Sequence, residues 1–239
     1  MSRLAVEVAG LSFANPLLLA AGTAAYGREL ADVMDLDGLG GVVTKAVSPR
    51  PRLGAAAPRV AEFPGGMINA VGLANPGVEE VRTRDLPWLA EHVHHARIIV
   101  NVVGDTTEDY ATVVRALDGE RAVDAYELNV SCPNVRAGGT EFGADPCALG
   151  AVVSGARSAT QRPLFVKLSP TLPDIAASAR VAIEAGADAI TLVNTLPGLV
   201  IDVERRTPVL GFGTGGVSGP GLLPIGVLAT WRVHCALRI

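Results

Sequence analysis

Aromatic side chains make up only 4% of the 239 residues, and three cysteines stand at wide spacing. A core so poor in rings must be filled by Val, Leu, Ile and Ala, the usual interior of α/β proteins with parallel sheets. Thiols at positions 132, 147 and 235 match neither a disulfide framework nor a zinc-ligand spacing, so they read as reduced. Cys147 and Cys235 fit inert core positions, and Cys132 does not. A surplus of one charge is also missing. The 20 basic and 24 acidic residues are interspersed for a net charge of −4, which leaves no basic stripe for nucleic acid or an anionic membrane. No uncharged apolar run reaches the roughly 18 residues of a membrane span, and no charged segment followed by an apolar one opens the chain. The expected location is cytoplasmic, with no nucleic-acid or membrane partner.

With 49% hydrophobic residues, a chain of this length suits one large domain over residues 1–239. Short apolar runs alternate with segments of helical period, the βαβα signature of a parallel sheet buried on both faces. The pattern predicts strands over residues 17–21, 41–45, 97–103, 124–130, 163–168 and 188–194, and helices over 28–36, 77–91, 107–117, 146–160, 174–185 and 221–236. Asp145 before Pro146, and Asp174 after Pro173, are helix-start signals. Residues 4–13, with Gly10 at a turn, read as a hairpin that plugs the bottom of a barrel. Six βα units fit either a doubly wound open sheet or an eightfold barrel lacking its last two units.

Polar residues interrupt this pattern at the C-terminal ends of the strands: Thr44 and Lys45, Asn101, Asn129 with Cys132 and Asn134, Lys167, then Asn194 and Thr195. One such residue is a helix cap or loop hydrogen-bonder; five strands in succession point to a ligand face. Lysines ending buried strands require an anion or a polarised partner. In Asn129-Val-Ser-Cys-Pro-Asn134 a thiol follows a strand directly, beside a proline that fixes the backbone. The glycine-rich stretch 211–219 is a weak phosphate-cradle candidate, since it follows no clear strand. His92, His94 and His95 lack a partner at metal-ligand spacing and read as a solvated surface, so no metal is expected.

The segment Asn129-Val-Ser-Cys-Pro-Asn-Val-Arg-Ala-Gly-Gly-Thr-Glu-Phe-Gly-Ala-Asp-Pro146 resembles the active-site loop of class 1B dihydroorotate dehydrogenases. Thr44-Lys45, Gly66-Met-Ile-Asn-Ala-Val-Gly-Leu-Ala-Asn-Pro-Gly77, Val166-Lys-Leu-Ser-Pro170, Val193-Asn-Thr-Leu196 and Gly215-Gly-Val-Ser-Gly-Pro220 follow in the family's order. The resemblance implies a (β/α)8 TIM barrel with FMN at its C-terminal face, and oxidation of dihydroorotate to orotate in de novo pyrimidine (UMP) biosynthesis. Cys132 would be the general base, taking the C5 proton while the C6 hydrogen leaves as hydride.

Lys45, Asn69, Asn129, Asn134, Asn194 and Thr195 match positions that hold the pyrimidine, with Ala70, Val71, Gly72 and Leu73 lining the same pocket. Ala21, Lys45, Ala46, Asn101, Asn129, Lys167, Val193 and Gly219 match flavin contacts. Ala21 stands where the family often has Ser. After Trp231-Arg-Val-His234 the family continues through two more strands and the loops that grip the FMN phosphate. The last two βα units are therefore expected to be missing, with weaker FMN binding or poorer folding as the consequence.

The same resemblance implies a homodimer within a heterotetramer, whose electron-transfer subunit carries FAD and an iron–sulfur cluster and reduces NAD+. No cluster-ligating cysteine spacing occurs in this chain. Alternatives are a dihydropyrimidine dehydrogenase-like enzyme, which shares the Ser-Cys-Pro core, a truncated fragment that keeps only a subunit-binding role, and a barrel using Lys45 or Lys167 as a Schiff base.

Overall fold

A computed structural model describes residues 4–131 and 141–238. The chain opens with an antiparallel hairpin, β1 (Val6–Val8) and β2 (Leu11–Phe13), turned at Ala9 and Gly10 with φ of 53° and 75°. Next come β3 (Leu18–Leu19), the short α1 (Arg28–Ala31) and β4 (Gly41–Val43). After β5 (Val60–Phe63) and β6 (Gly66–Asn69), a helical stretch is built from α2 (Val78–Glu80), a π-helical segment Val81–Asp85 and α3 (Leu86–His92). Strands and helices then alternate through β7 (Arg97–Val102), α4 (Thr107–Leu117), β8 (Ala125–Asn129), α5 (Pro146–Arg157), β9 (Leu164–Leu168), α6 (Ile175–Glu184) and β10 (Ala189–Leu192). Four short strands, β11 (Leu196–Gly198), β12 (Ile201–Asp202), β13 (Thr207–Pro208) and β14 (Gly215–Ser218), precede α7 (Leu223–Leu237).

All six expected strands lie in one parallel sheet of order β10-β9-β8-β7-β4-β3. That order follows the chain without reversal. A doubly wound sheet reverses direction at a switch point, so the strand order selects the alternative of a barrel arc. The curled sheet closes no ring among the described residues: β3 and β10 are its edges. Alternation along the strands separates two cores. Ile98, Val100, Tyr126, Leu128, Leu164 and Val166 face outward onto α4, α5 and α6, where Val113, Leu117, Leu149, Val153, Ala179 and Ala182 are buried. Val43, Ile99, Ala125 and Phe165 face inward and close on Phe13 of the hairpin, which is 2% exposed. The expected plug is present, and it seals the end of the arc opposite the C-terminal strand ends.

Several boundaries differ from expectation for local reasons. The helix expected over 28–36 stops at Ala31, because Asp35 caps a separate 3-10 turn by accepting from the Asp37 N–H; acidic residues compete with a helix interior in this way. The helix expected over 77–91 widens into the π segment just before Pro87, whose missing N–H and ring disturb the regular ladder. Asp145 and Asp174 cap α5 and α6 as expected, each accepting two backbone N–H groups. Within the glycine-rich stretch 211–219, Gly215–Ser218 is a strand in an antiparallel sheet of order β11-β14-β6-β5, which the sequence pattern does not announce. Cys147 and Cys235 are exposed, contrary to a core role. Cys147 falls on the outer side of the first turn of α5, and Cys235 near the end of α7. No helix among the described residues is long and apolar enough to cross a membrane.

Candidate active site

Directly above the plug the inward positions turn polar. Asn101, two residues beyond Ile99 on β7, is fully buried, and its Nδ2 donates to Glu127 Oε1 on β8 at 2.7 Å. The other Glu127 oxygen accepts from the Thr191 hydroxyl on β10 at 2.9 Å, across the intervening strand β9. Lys167 lies on β9 in register with Asn129 and Thr191, 8% exposed. Neither Glu127 nor Thr191 was singled out in the sequence. The signal was a carboxylate inside the buried strand Ala125-Tyr-Glu-Leu-Asn129, two residues past an inward Ala125.

The rim is tied down by backbone contacts. Lys45, half-buried after β4, donates its N–H to Ala25 O at 2.7 Å, and the Tyr26 hydroxyl donates to Ala46 O at 3.0 Å. Burial pushes the Tyr26 hydroxyl well above its ordinary range, so it remains a neutral donor. Ala21 packs against the inward core. The Asn75 Oδ1 accepts from Ser48 N–H, the Ser48 hydroxyl and Gly77 N–H, fixing the segment that carries Ala70, Val71, Gly72 and Leu73 to the end of β4. Gly72 has φ of +68°, and a Cβ there would lie 2.4 Å from Ala55 N, so only glycine suits it.

Asn69 and Thr195, far apart in sequence, meet at β14. Asn69 Nδ2 donates to Gly216 O at 3.2 Å, and a Cβ on Gly216 would stand 2.1 Å from Thr195 Oγ1. Asn194 is held by its N–H to Leu168 O at 2.9 Å, and its Oδ1 accepts from Thr195 N–H. Gly219 is exposed beyond β14 with φ of +145°. Val193 departs from the others. It lines an open cavity of about 530 Å³ shared with Leu192, Leu223, Val227, Trp231 and His234, at the β10 edge against α7.

Cys132 and Asn134 lie outside the described residues. Their flanks are well defined. Val130 O accepts from Gly143 N–H at 2.9 Å, and Asn129 Oδ1 accepts from Ser131 N–H at 3.3 Å. Phe142, fully buried, meets Tyr110 edge to face at 5.6 Å, while the Tyr110 hydroxyl donates to Asn129 O. Burial raises the Glu141 carboxyl above its usual range, against hydrogen bonds from Ser169 and Thr171 that lower it. His94 and His95 are exposed, and their N–H groups donate to Asp37.

Two features of this face call for a ligand. The side-chain ammonium groups of Lys45 and Lys167 have no hydrogen-bond or ion-pair partner among the described residues, and a half-buried or buried ammonium is costly without one. Among the described residues, Asn101 Oδ1 is buried with no donor, and Ser131 Oγ is buried with no partner.

An apolar plug below and a polar face at the C-terminal strand ends place the molecule among the α/β barrel enzymes. The model of the family described as dihydroorotate dehydrogenase matches residues 3–238. The catalytic subunit of dihydroorotate dehydrogenase B (NAD(+)) from Desulforudis audaxviator is 48% identical over 235 residues, covering 98% of this chain and 76% of that protein. Proteins of the same description from Pelobacter propionicus and Geobacillus kaustophilus are 46% and 45% identical, with 98% and 100% of this chain covered and 76% of each relative. The chain belongs to the dihydroorotate dehydrogenase family.

Proposed function

We propose that residues 1–239 act as one barrel-type domain that oxidises dihydroorotate to orotate, with FMN as hydride acceptor and Cys132 as general base. The observation that carries this reading is the polar layer of Asn101, Glu127, Thr191 and Lys167 on the plug, with its unmet cation and unmet acceptor. A flavin offers what these groups lack: carbonyl and ring-nitrogen acceptors for an ammonium, and a ring N–H for an amide oxygen. Ala21, Lys45, Ala46, Asn101, Asn129, Lys167, Val193 and Gly219 would hold it. When bound, FMN supplies the acceptor for the C6 hydride.

The remaining work falls to this chain's side chains. Lys45 meets the substrate carboxylate, a charge-assisted contact that also orients the ring. Asn69, Asn129, Asn134, Asn194 and Thr195 supply amide and hydroxyl groups for its carbonyls and N–H groups, above the floor formed by Ala70, Val71, Gly72 and Leu73. Cys132 takes the C5 proton, and its thiol then carries that proton away from the ring. Electrons pass on to NAD+ through a partner subunit with FAD and an iron–sulfur cluster, in a cytoplasmic heterotetramer built on a homodimer. The relatives' description as catalytic subunits supports a partner.

The test is the visible spectrum of the purified chain supplied with FMN, recorded before and after anaerobic addition of dihydroorotate. Bound yellow flavin that bleaches is the expected result; a chain that leaves FMN free in solution overturns the cofactor assignment.

A further inference from the structure

Glu127 takes no direct part in the proposed catalysis, yet it is the most constrained group of the polar layer. It is 3% exposed, and both its oxygens are occupied, one by Asn101 Nδ2 at 2.7 Å and one by the Thr191 hydroxyl at 2.9 Å. Both Glu127 oxygens act as acceptors in these contacts. The Asn101 amide must therefore turn its nitrogen toward Glu127 and its oxygen away, and that oxygen is the buried acceptor left without a donor. Thr191, anchored two strands away, keeps the carboxylate from swinging to release the amide. The Asn101 backbone is itself fixed, its N–H donating to Thr44 Oγ1 at 3.2 Å.

We infer that Glu127 is a positioning residue: it locks the Asn101 amide so that Oδ1 is presented as an acceptor for a ring N–H of the bound heterocycle. The inference rests on the proposed binding of FMN and a pyrimidine at this face. Both carry the required chemistry, the flavin at N3 and the pyrimidine at its ring nitrogens, and the test separates them. Glu127→Gln keeps shape but offers an amide donor, which allows Asn101 to reverse and present Nδ2–H toward the ligand N–H, donor against donor.

The experiment is fluorescence titration of the purified chain with FMN and with N3-methyl-FMN, and of the flavin-loaded chain with orotate, for wild type, Glu127→Gln and the double variant Asn101→Asp/Glu127→Gln. Wild type is expected to prefer FMN over its N3-methyl form by about tenfold or more, and Glu127→Gln to lose that preference and about tenfold in FMN affinity, with an unchanged circular dichroism spectrum. The double variant regains an acceptor beside the Gln amide and is expected to recover most of the affinity. If FMN binding is untouched but orotate binding weakens by a similar factor, the acceptor serves the pyrimidine and the positioning role stands. Wild-type affinities for both ligands in Glu127→Gln overturn it.

A second readout is independent of any ligand. The Asn101 side-chain amide proton facing Glu127 should resonate downfield in the wild-type NMR spectrum and lose that shift in Glu127→Gln, or in Thr191→Val should the first variant not fold. No change overturns the inference even if the chain binds no flavin, whereas a lost shift in a chain that binds no flavin overturns only the cofactor reading.

Discussion

At the scale of single residues, the base and the plug make opposite predictions. Cys132→Ser replaces a thiol by a hydroxyl that is far harder to deprotonate, and a general base contributes about 10²–10⁴ in rate. Flavin reduction by dihydroorotate in stopped flow is expected to slow by about that factor while FMN affinity stays constant; an unchanged rate overturns the base assignment. Phe13→Ala touches no ligand group. It empties the ring site enclosed by Val43, Ile99, Ala125 and Phe165, and the loss of a buried Phe is expected to cost about 3–5 kcal/mol in denaturant unfolding. Legibility at this scale followed exposure to pattern. Lys45, Asn101, Asn129 and Lys167 stood out as polar groups at the ends of apolar strands. Glu127 did not, because it stands inside the strand between Tyr126 and Leu128 and not at its end, where the pattern breaks were sought. Cys147 and Cys235 were misplaced for the converse reason: small apolar character says nothing of which helix face a residue occupies.

At the scale of elements, α5 is fixed at its start by a side-chain cap. Asp145 accepts from Cys147 N–H at 2.8 Å and Ala148 N–H at 3.1 Å, so Asp145→Ala is expected to lower stability by about 1 kcal/mol, read as a shift in urea midpoint. Glu141 carries a pH dependence whose sign is set by burial. Its carboxyl titrates above the ordinary glutamate range in the folded chain, so between the two values the folded state binds more protons than the unfolded one. Stability then falls as pH rises through that window and stays lower above it. Glu141→Gln removes the charge while keeping an acceptor for Thr171. It is expected to raise the melting temperature at neutral pH, the gain vanishing below the ordinary glutamate range; a constant difference across pH would show that charge burial is not its source. The helices with caps at Asp145 and Asp174 were readable because their start signals are local. The β11-β14-β6-β5 sheet was not. Its strands have three or four residues, three of the four contain Gly or Pro, and they depend on partners such as Asn69 and Gly216, 147 positions apart.

At the scale of the whole molecule, an arc with two edges should not be uniformly stable. Strands β8 and β9 are buried at every position and flanked on both sides, whereas β10 is half-buried throughout and, among the described residues, has a strand neighbour only at β9. The face of α7 beside it exposes Leu223 at 72%, Val227 at 59% and Trp231 at 63%. Amide exchange reports the free energy of the opening that frees each N–H, and edge elements open by smaller excursions than the centre of a sheet. The slowest amides are therefore expected in Arg97–Val102, Ala125–Asn129 and Leu164–Leu168, with β3, β10 and the β12–β13 pair exchanging faster by about two orders of magnitude or more, or roughly 3 kcal/mol. Hydrogen–deuterium exchange of the chain checks this directly. Protection of β10 equal to that of β8 would mean that its open edge and the apolar face of α7 are covered in solution. Dilution would then tell how, since a cover supplied by a second molecule weakens with concentration and one supplied by the chain itself does not.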